Sequence, residues 1–168
     1  MNGFRQNCLS RLPRIMPGAL VTLWVTLIAF NNLTDYGSNL VFVRHVLAMD
    51  TTFPQNHGMW RALHGAGLAY CAYDLIILWE CAVAASGWVG LGFMLRAIQQ
   101  DGTRFAQSCR ISALSLALGL VLWIGGFLAI GGEWFLMWQS QLWNGQQAAF
   151  RLACLTGIAL LLLPVTEL

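Results

Sequence analysis

The sequence predicts an all-α membrane protein, a four-transmembrane-helix bundle with short interfacial helices in outer loops one and three. Three observations carry this reading. Of the 168 residues, 58% are apolar and only 10% charged, whereas soluble domains carry about 25% charged residues. Four apolar runs come close to the ~20 residues needed to cross a hydrocarbon core. The basic residues, all nine of them arginine, gather unevenly on the segments between those runs. Mean hydropathy is +0.63, and the length suits a single membrane domain, residues 1–168. A net charge of +2 is too small to point to a nucleic-acid partner, so the expected surroundings are the lipid bilayer.

The first span is expected at about 15–33. Arg5, Arg11 and Arg14 precede it as in a signal peptide, but no small-x-small cleavage site follows and the run outlasts an ordinary h-region. It therefore reads as a retained helix, closed by Asn31, Asn32 and Asp35. In outer loop one, Leu40, Val43, Val46 and Leu47 recur at helical spacing with Arg44 and His45 alongside. That is the pattern of an amphipathic helix lying in the interface and ending near Pro54.

The second span is expected within 67–95. Its apolar run, Ala62 to Leu95, would be ~51 Å long as a helix, well beyond a ~30 Å core. With Arg96 as the inner anchor, the core segment is Ile76 to Leu95. Glu80 then lies about one turn below the outer surface, and Asp74 sits in the interface. A break at "ASGWVG" would instead slide Glu80 towards the midplane. Tyr73 precedes Glu80 by seven residues and shares its helix face, while Asp74 points about 120° away. The two carboxylates therefore do not form a proton-exchanging dyad.

The third and fourth spans are expected at about 111–130 and 148–165. The inner loop before the third, "RAIQQDGTRFAQSCR", is short and plain. Outer loop three opens at Gly131-Gly132 and turns at Asn144-Gly145. Between them Trp134, Phe135, Met137, Trp138 and Leu142 can make one apolar face, a second interfacial or re-entrant segment. Trp134, Trp138 and Trp143 form an outer aromatic cap. Gly65-Ala66-Gly67 and Gly125-Gly126 read as places where helices approach closely. Counting arginines, six lie on the N-terminal tail and second loop against three elsewhere. Both termini are therefore expected in the cytoplasm of a multi-pass protein.

Polar residues collect on the outer side: Asn31, Asn32, Asp35, Asp74, Glu80, Glu133 and Arg151. A lone charge in hydrocarbon costs ~2.5–3.5 kcal/mol on insertion scales, so Glu80 and Arg151 are expected to pair between the second and fourth helices. Such a cluster either fastens the bundle or binds a ligand. His45, His57 and His64 show no compact ligand spacing, so no metal site is predicted. The five cysteines, at 8, 71, 81, 109 and 154, are odd in number and scattered. They read as small packing residues rather than a disulfide framework. With no G-x-S-x-G and no G-x-G-x-x-G, no catalytic residue is assigned. No cofactor is predicted, and a bound lipid or quinone is left open.

The strings "NNLTDYGSNLVFVRHVLAMDTTFP", "WRALH", "LWE" and "GGEWFLMWQSQLWNGQQAAFR" resemble a bacterial family of predicted small integral membrane proteins of unknown function. That resemblance implies a four-span inner-membrane protein and assigns no activity. Three functions follow in order of expectation. The first is a non-enzymatic accessory or self-associating subunit, a homo-oligomer or a partner in a membrane complex, because Trp, Phe, Met and Arg in the cap are interface residues. The second is a lipid-, quinone- or amphiphile-binding protein or enzyme using the outer polar pocket. A channel or transporter ranks last, since no span carries a polar stripe and the halves show no repeat.

Overall fold

A backbone in hydrocarbon must satisfy its own hydrogen bonds, and the apolar runs of this chain do so as helices. The computed structural model describes residues 2–164, and every regular element among them is helical. In order they are α1 (Asn2–Thr34), α2 (Tyr36–Ala48), a 3-10 turn (Met59–Arg61), α3 (Ala66–Ala97), α4 (Gly102–Ser108) and α5 (Arg110–Leu120). A π-helical segment (Val121–Trp134), a second 3-10 turn (Met137–Gln139) and α6 (Gln146–Leu162) complete the chain. Val165, the expected end of the fourth run, lies outside the described residues, as do the side chains of Arg5 and Cys8.

Three stretches are long and apolar enough to cross a membrane: Leu9–Thr34, Ala66–Ala97 and Gly102–Trp134. The 17-residue α6 is apolar but shorter, about 25 Å end to end. α1 packs on α3 and α6, α3 packs on α5, and α5 with the π segment packs on α6, so the long helices close into a ring. The core inside the ring is built from Val21, Val25, Val83, Leu116, Trp123, Leu152 and Ala159.

Interhelical hydrogen bonds fasten this ring where no hydrophobic force draws helices together. Ser115 Oγ donates to the Val83 carbonyl at 2.7 Å, Trp79 Nε1 to the Leu118 carbonyl at 3.0 Å, and Trp88 Nε1 to Thr26 Oγ1 at 2.9 Å. The close approaches are made by Gly87 and Gly90. A β-carbon on Gly87 would lie 2.6 Å from Thr22 Oγ1 of α1, and one on Gly90 would lie 2.5 Å from the Ser112 backbone nitrogen of α5. The "ASGWVG" stretch is therefore where helices cross, and α3 runs through it unbroken. The glycines expected in this role are elsewhere. A β-carbon added to Gly65, Gly67 or Gly125 would meet nothing within 4 Å, and one on Gly126 would meet only Leu122 of its own segment. Gly65 serves conformation instead, entering α3 at φ 139°.

The third long helix changes type halfway. From Val121 its hydrogen bonds shift to the i→i+5 pattern, the last running from Phe135 N to the Ile130 carbonyl at 3.0 Å. The wider turn places Leu122, Gly126, Ile130, Gly131 and Phe135 along one groove, a spacing of between four and five residues that an ordinary helix does not hold. Leu136 then takes a left-handed backbone at φ 53° and ends the run. For this reason loop three does not present its apolar residues as one helical face: Phe135 and Met137 are buried, whereas Trp134, Trp138 and Leu142 are exposed.

At the opposite end, Arg11 ties α1 to the turn after α3. Its guanidinium donates to the Ile98 and Gln100 carbonyls at 3.0 and 2.7 Å and sits 4.3 Å over the Phe105 ring. The plain-looking inner loop also contains α4, whose N-cap Asp101 accepts from Arg104 N–H at 2.9 Å. That bond holds the Asp101 carboxyl below the ordinary carboxylate range. Cys109 is buried, but Cys71 and Cys154 are exposed on helix faces, not packed between helices as expected.

Candidate functional site

α1 ends two residues after Asn32, and Asn32 and Glu80 meet where α1 passes α3. Both are buried, with Glu80 only 1% exposed. Asn32 Nδ2 donates to Glu80 Oε2 at 2.7 Å, and Asn39 Nδ2 from α2 donates to Asn32 Oδ1 at 2.7 Å. Tyr73 Oη reaches the Asn32 carbonyl at 3.4 Å. The chain of donors thus runs Asn39 to Asn32 to Glu80 and stops on the carboxylate. Glu80 Oε1 has no donor among the described residues.

These side chains form one wall of a half-open cavity of about 270 Å³. Phe42, Trp123, Phe127 and Leu152 form much of the remainder. An apolar groove of about 230 Å³ adjoins it, sharing Phe42, Val43, Ile76 and Phe127 and continuing past Leu122, Ile130 and Met137. Both exist because α2 does not lie free. Its Val43 packs on Tyr73 and Ile77 of α3, and Phe42 reaches the π segment's side of the groove.

The other residues expected in the cluster lie apart from it. Asn31, Asp35, Asp74, Glu133 and Arg151 are all exposed. Asp35 bonds Ser38 Oγ at 2.7 Å and Asp74 bonds Tyr36 Oη at 2.6 Å. The expected Glu80–Arg151 pair does not form. α6 buries Ala149, Leu152, Ala153, Thr156 and Ala159, and Arg151 stands about 200° around the helix from Ala149. The expectation rests on depth alone, and direction around the helix decides whether a pair forms.

Asp74 holds the Tyr36 phenol strongly protonated. The bond to the Asp74 carboxylate, with a smaller desolvation effect, pushes the Tyr36 pKa from 10.0 up to about 12. A raised pKa of this kind contributes stability that is whole below pH 10 and is lost as pH rises from 10 to 12. Alkaline absorbance titration of the wild type minus Tyr36→Phe should isolate a phenol that ionises near 12. A difference curve centred near 10 would show that the Asp74 bond is not kept in solution.

The three tryptophans of loop three each engage loop one. Trp134 meets Trp60 edge-on at 5.8 Å, with the Arg61 guanidinium 5.5 Å from the Trp134 ring centre. Trp138 meets Phe53 edge-on at 5.7 Å. Trp143 stacks on His45 at 4.6 Å and 6°, and contacts Phe42. Thr51 and Ser140 hydroxyls lie 2.7 Å apart, and the Gln139 side chain accepts from Phe53 N–H at 3.1 Å. His45 is held by Asp50 at 2.8 Å, and His57 and His64 are exposed. Among the described residues no group of three metal-ligating side chains gathers. Sequence reasoning missed Asn39 and the partners on loop one. Asn39 bonds Asn32 across the break at Asp35, from a separate helix, so no single helical repeat in the sequence signals the contact.

Removing the Trp143 ring should loosen loop three from α2. Trp143→Ala is expected to cost about 1–3 kcal/mol, read as a lower thermal midpoint in detergent. Leu142→Ala, at a side chain 78% exposed, should leave the midpoint unchanged. Equal effects at the two positions would show that the stack carries no stability.

Residues 10–166 match the family described as predicted small integral membrane protein (DUF2165), and the chain belongs to that family. No curated protein and no solved structure matches it.

Proposed function

We propose that this is a four-span protein of the bacterial inner membrane that binds an amphiphile in the outer half of the bilayer. One observation carries the proposal: a buried carboxylate with a spare oxygen faces a cavity whose other walls are apolar and which opens into an apolar groove. A head group bonded at Glu80 and a tail laid along Ile130 and Met137 would fill both parts. Together these spaces fall within the ~300–1,000 Å³ of ordinary ligand sites. Sixteen residues of α3 separate Glu80 from Arg96, about 24 Å of helix. With Arg96 at one boundary of a ~30 Å core, Glu80 lies a few ångströms inside the other.

The orientation is supported by Arg11, which brings the N-terminal arginines to the end where Arg96, Arg104 and Arg110 also gather. The fourth span is α6, which lies alongside α1 and the π segment. The single carboxylate and its amide relay fit binding rather than chemistry. A second reading, as an accessory or self-associating subunit, rests on the exposed faces of Trp60 and Trp134 at the cap.

Trp123 lines the cavity and reports on its occupant. A bromine-labelled alkyl amphiphile added to protein in neutral detergent should quench tryptophan emission, and Trp123→Phe should abolish the saturable part. Quenching that stays linear with concentration and is unaffected by Trp123→Phe would sink the amphiphile reading. A lone monomer across the concentration range in native mass spectrometry would sink the self-association reading.

A further inference from the structure

The amphiphile-binding reading leaves the head group's chemistry open, and the cavity wall narrows it. Resting on that reading, we infer that the head is an organic ammonium, primary to quaternary, carried on an apolar tail.

The first argument counts donors against acceptors at the site. Asn39 Nδ2 is committed to Asn32, Asn32 Nδ2 to Glu80, and Tyr73 Oη to the Asn32 carbonyl. The acceptor left without a partner is Glu80 Oε1. A cationic head is therefore served at Oε1; the second N–H of each amide and the unpartnered Trp123 Nε1 remain as donors, so a head that also accepts hydrogen bonds is served as well. The second argument is charge. None of the residues lining the cavity is basic, and Glu80 is its acidic member. An anionic head would find no cation among the lining residues, whereas a cation would supply the charge partner that the buried carboxyl lacks.

The third argument is the aromatic wall. Phe42, Tyr73, Trp123 and Phe127 all border the same space, with Trp123 and Phe127 set at 44° and 5.6 Å between ring centres. Angled aromatic faces around a carboxylate are the arrangement that recognises alkylated ammonium, because ring faces attract a cation that has no hydrogen bond to give. The adjoining groove, lined by Val46, Leu75, Ile130 and Phe135, offers a tail no polar partner. A free ammonium ion or a short diamine would leave it empty.

The test compares three dodecyl probes, dodecyltrimethylammonium, dodecanol and dodecanoate, titrated into the full protein in neutral detergent and read by Trp123 emission. The ammonium is expected to bind about tenfold or more tightly than dodecanol, with dodecanoate weakest. Glu80→Gln keeps the Asn32 bond and should erase the preference while leaving dodecanol binding in place. Phe127→Leu should weaken the ammonium several-fold and dodecanol little. Equal binding of ammonium and dodecanol, or tighter dodecanoate, overturns the inference and leaves the amphiphile reading standing; saturable binding of none of the three overturns both. Nanodiscs separate the sources. Selective retention of phosphatidylethanolamine over phosphatidylglycerol supports the inference with a lipid head group as the ammonium. Binding of the alkylammonium without lipid selectivity supports it with a free amphiphilic amine.

Discussion

Gly90→Val is expected to be among the most damaging single substitutions in this protein, costing about 3 kcal/mol or more. The reason is backbone, not side chain. A β-carbon on Gly90 falls 2.5 Å from Ser112 N and 2.9 Å from Ser112 Cα, so no rotamer change relieves the clash and α3 must move off α5. That movement strains the Ser115–Val83 bond one turn along and opens the packing around Val83 and Leu116. In a membrane, helix association depends on close van der Waals fit, so this loss has no compensating hydrophobic drive. Gly92→Ala is the control on the same helix. Nothing lies within 4 Å of where its β-carbon would stand, and helix propensity favours alanine by about 1 kcal/mol. Thermal unfolding in detergent should therefore show Gly90→Val far below the wild type and Gly92→Ala level with it or above. If the two midpoints fall together, α3 and α5 do not cross at Gly90.

The same pair of glycines marks the boundary of what the chain discloses as a string. Hydropathy located the apolar helices because it is a local, additive property, and Tyr73 and Glu80 share a cavity because seven residues make nearly two whole turns. Which glycine faces a neighbour is a matter of angular register between two helices, and composition carries no such angle. Gly65-Ala66-Gly67 and Gly125-Gly126 look as suitable as "ASGWVG", yet of these only the last holds a crossing. Arg151 fails in the same way, because its place along the chain does not give its direction around α6. The π segment is hidden for a related reason. A pattern of Leu122, Gly126, Ile130 and Phe135 reads as an imperfect 3.6 repeat until the i→i+5 bonds show that the turn itself is wider. The tryptophans of loop three were visible individually. Their partners, Trp60, Phe53 and His45, lie at least 70 residues earlier in the chain, and nothing in the spacing links them.

Asn32→Leu should be the other severe substitution, and its value is that a second change can reverse it. Asn32 gives Glu80 its one amide donor and Asn39 its one acceptor. Leucine at 32 leaves the buried Glu80 carboxyl without its donor, a loss of about 1–3 kcal/mol for a buried polar group left unsatisfied. Glu80→Leu alone should also destabilise, because it leaves Asn32 buried with unused donors. The pair Asn32→Leu with Glu80→Leu removes both needs at once, and apolar replacement of a buried polar pair is often close to neutral. The double variant is therefore expected to unfold later than Asn32→Leu alone, with a coupling of about 1–3 kcal/mol between the sites. Additive losses would mean that the two side chains do not act as a pair. A stable double variant also separates the two roles the buried carboxylate could have. If Glu80 served only to fasten α1 to α3, the leucine pair should retain everything the protein does. If it receives an ammonium head, the refastened helices should still admit dodecanol into the cavity and no longer prefer dodecyltrimethylammonium.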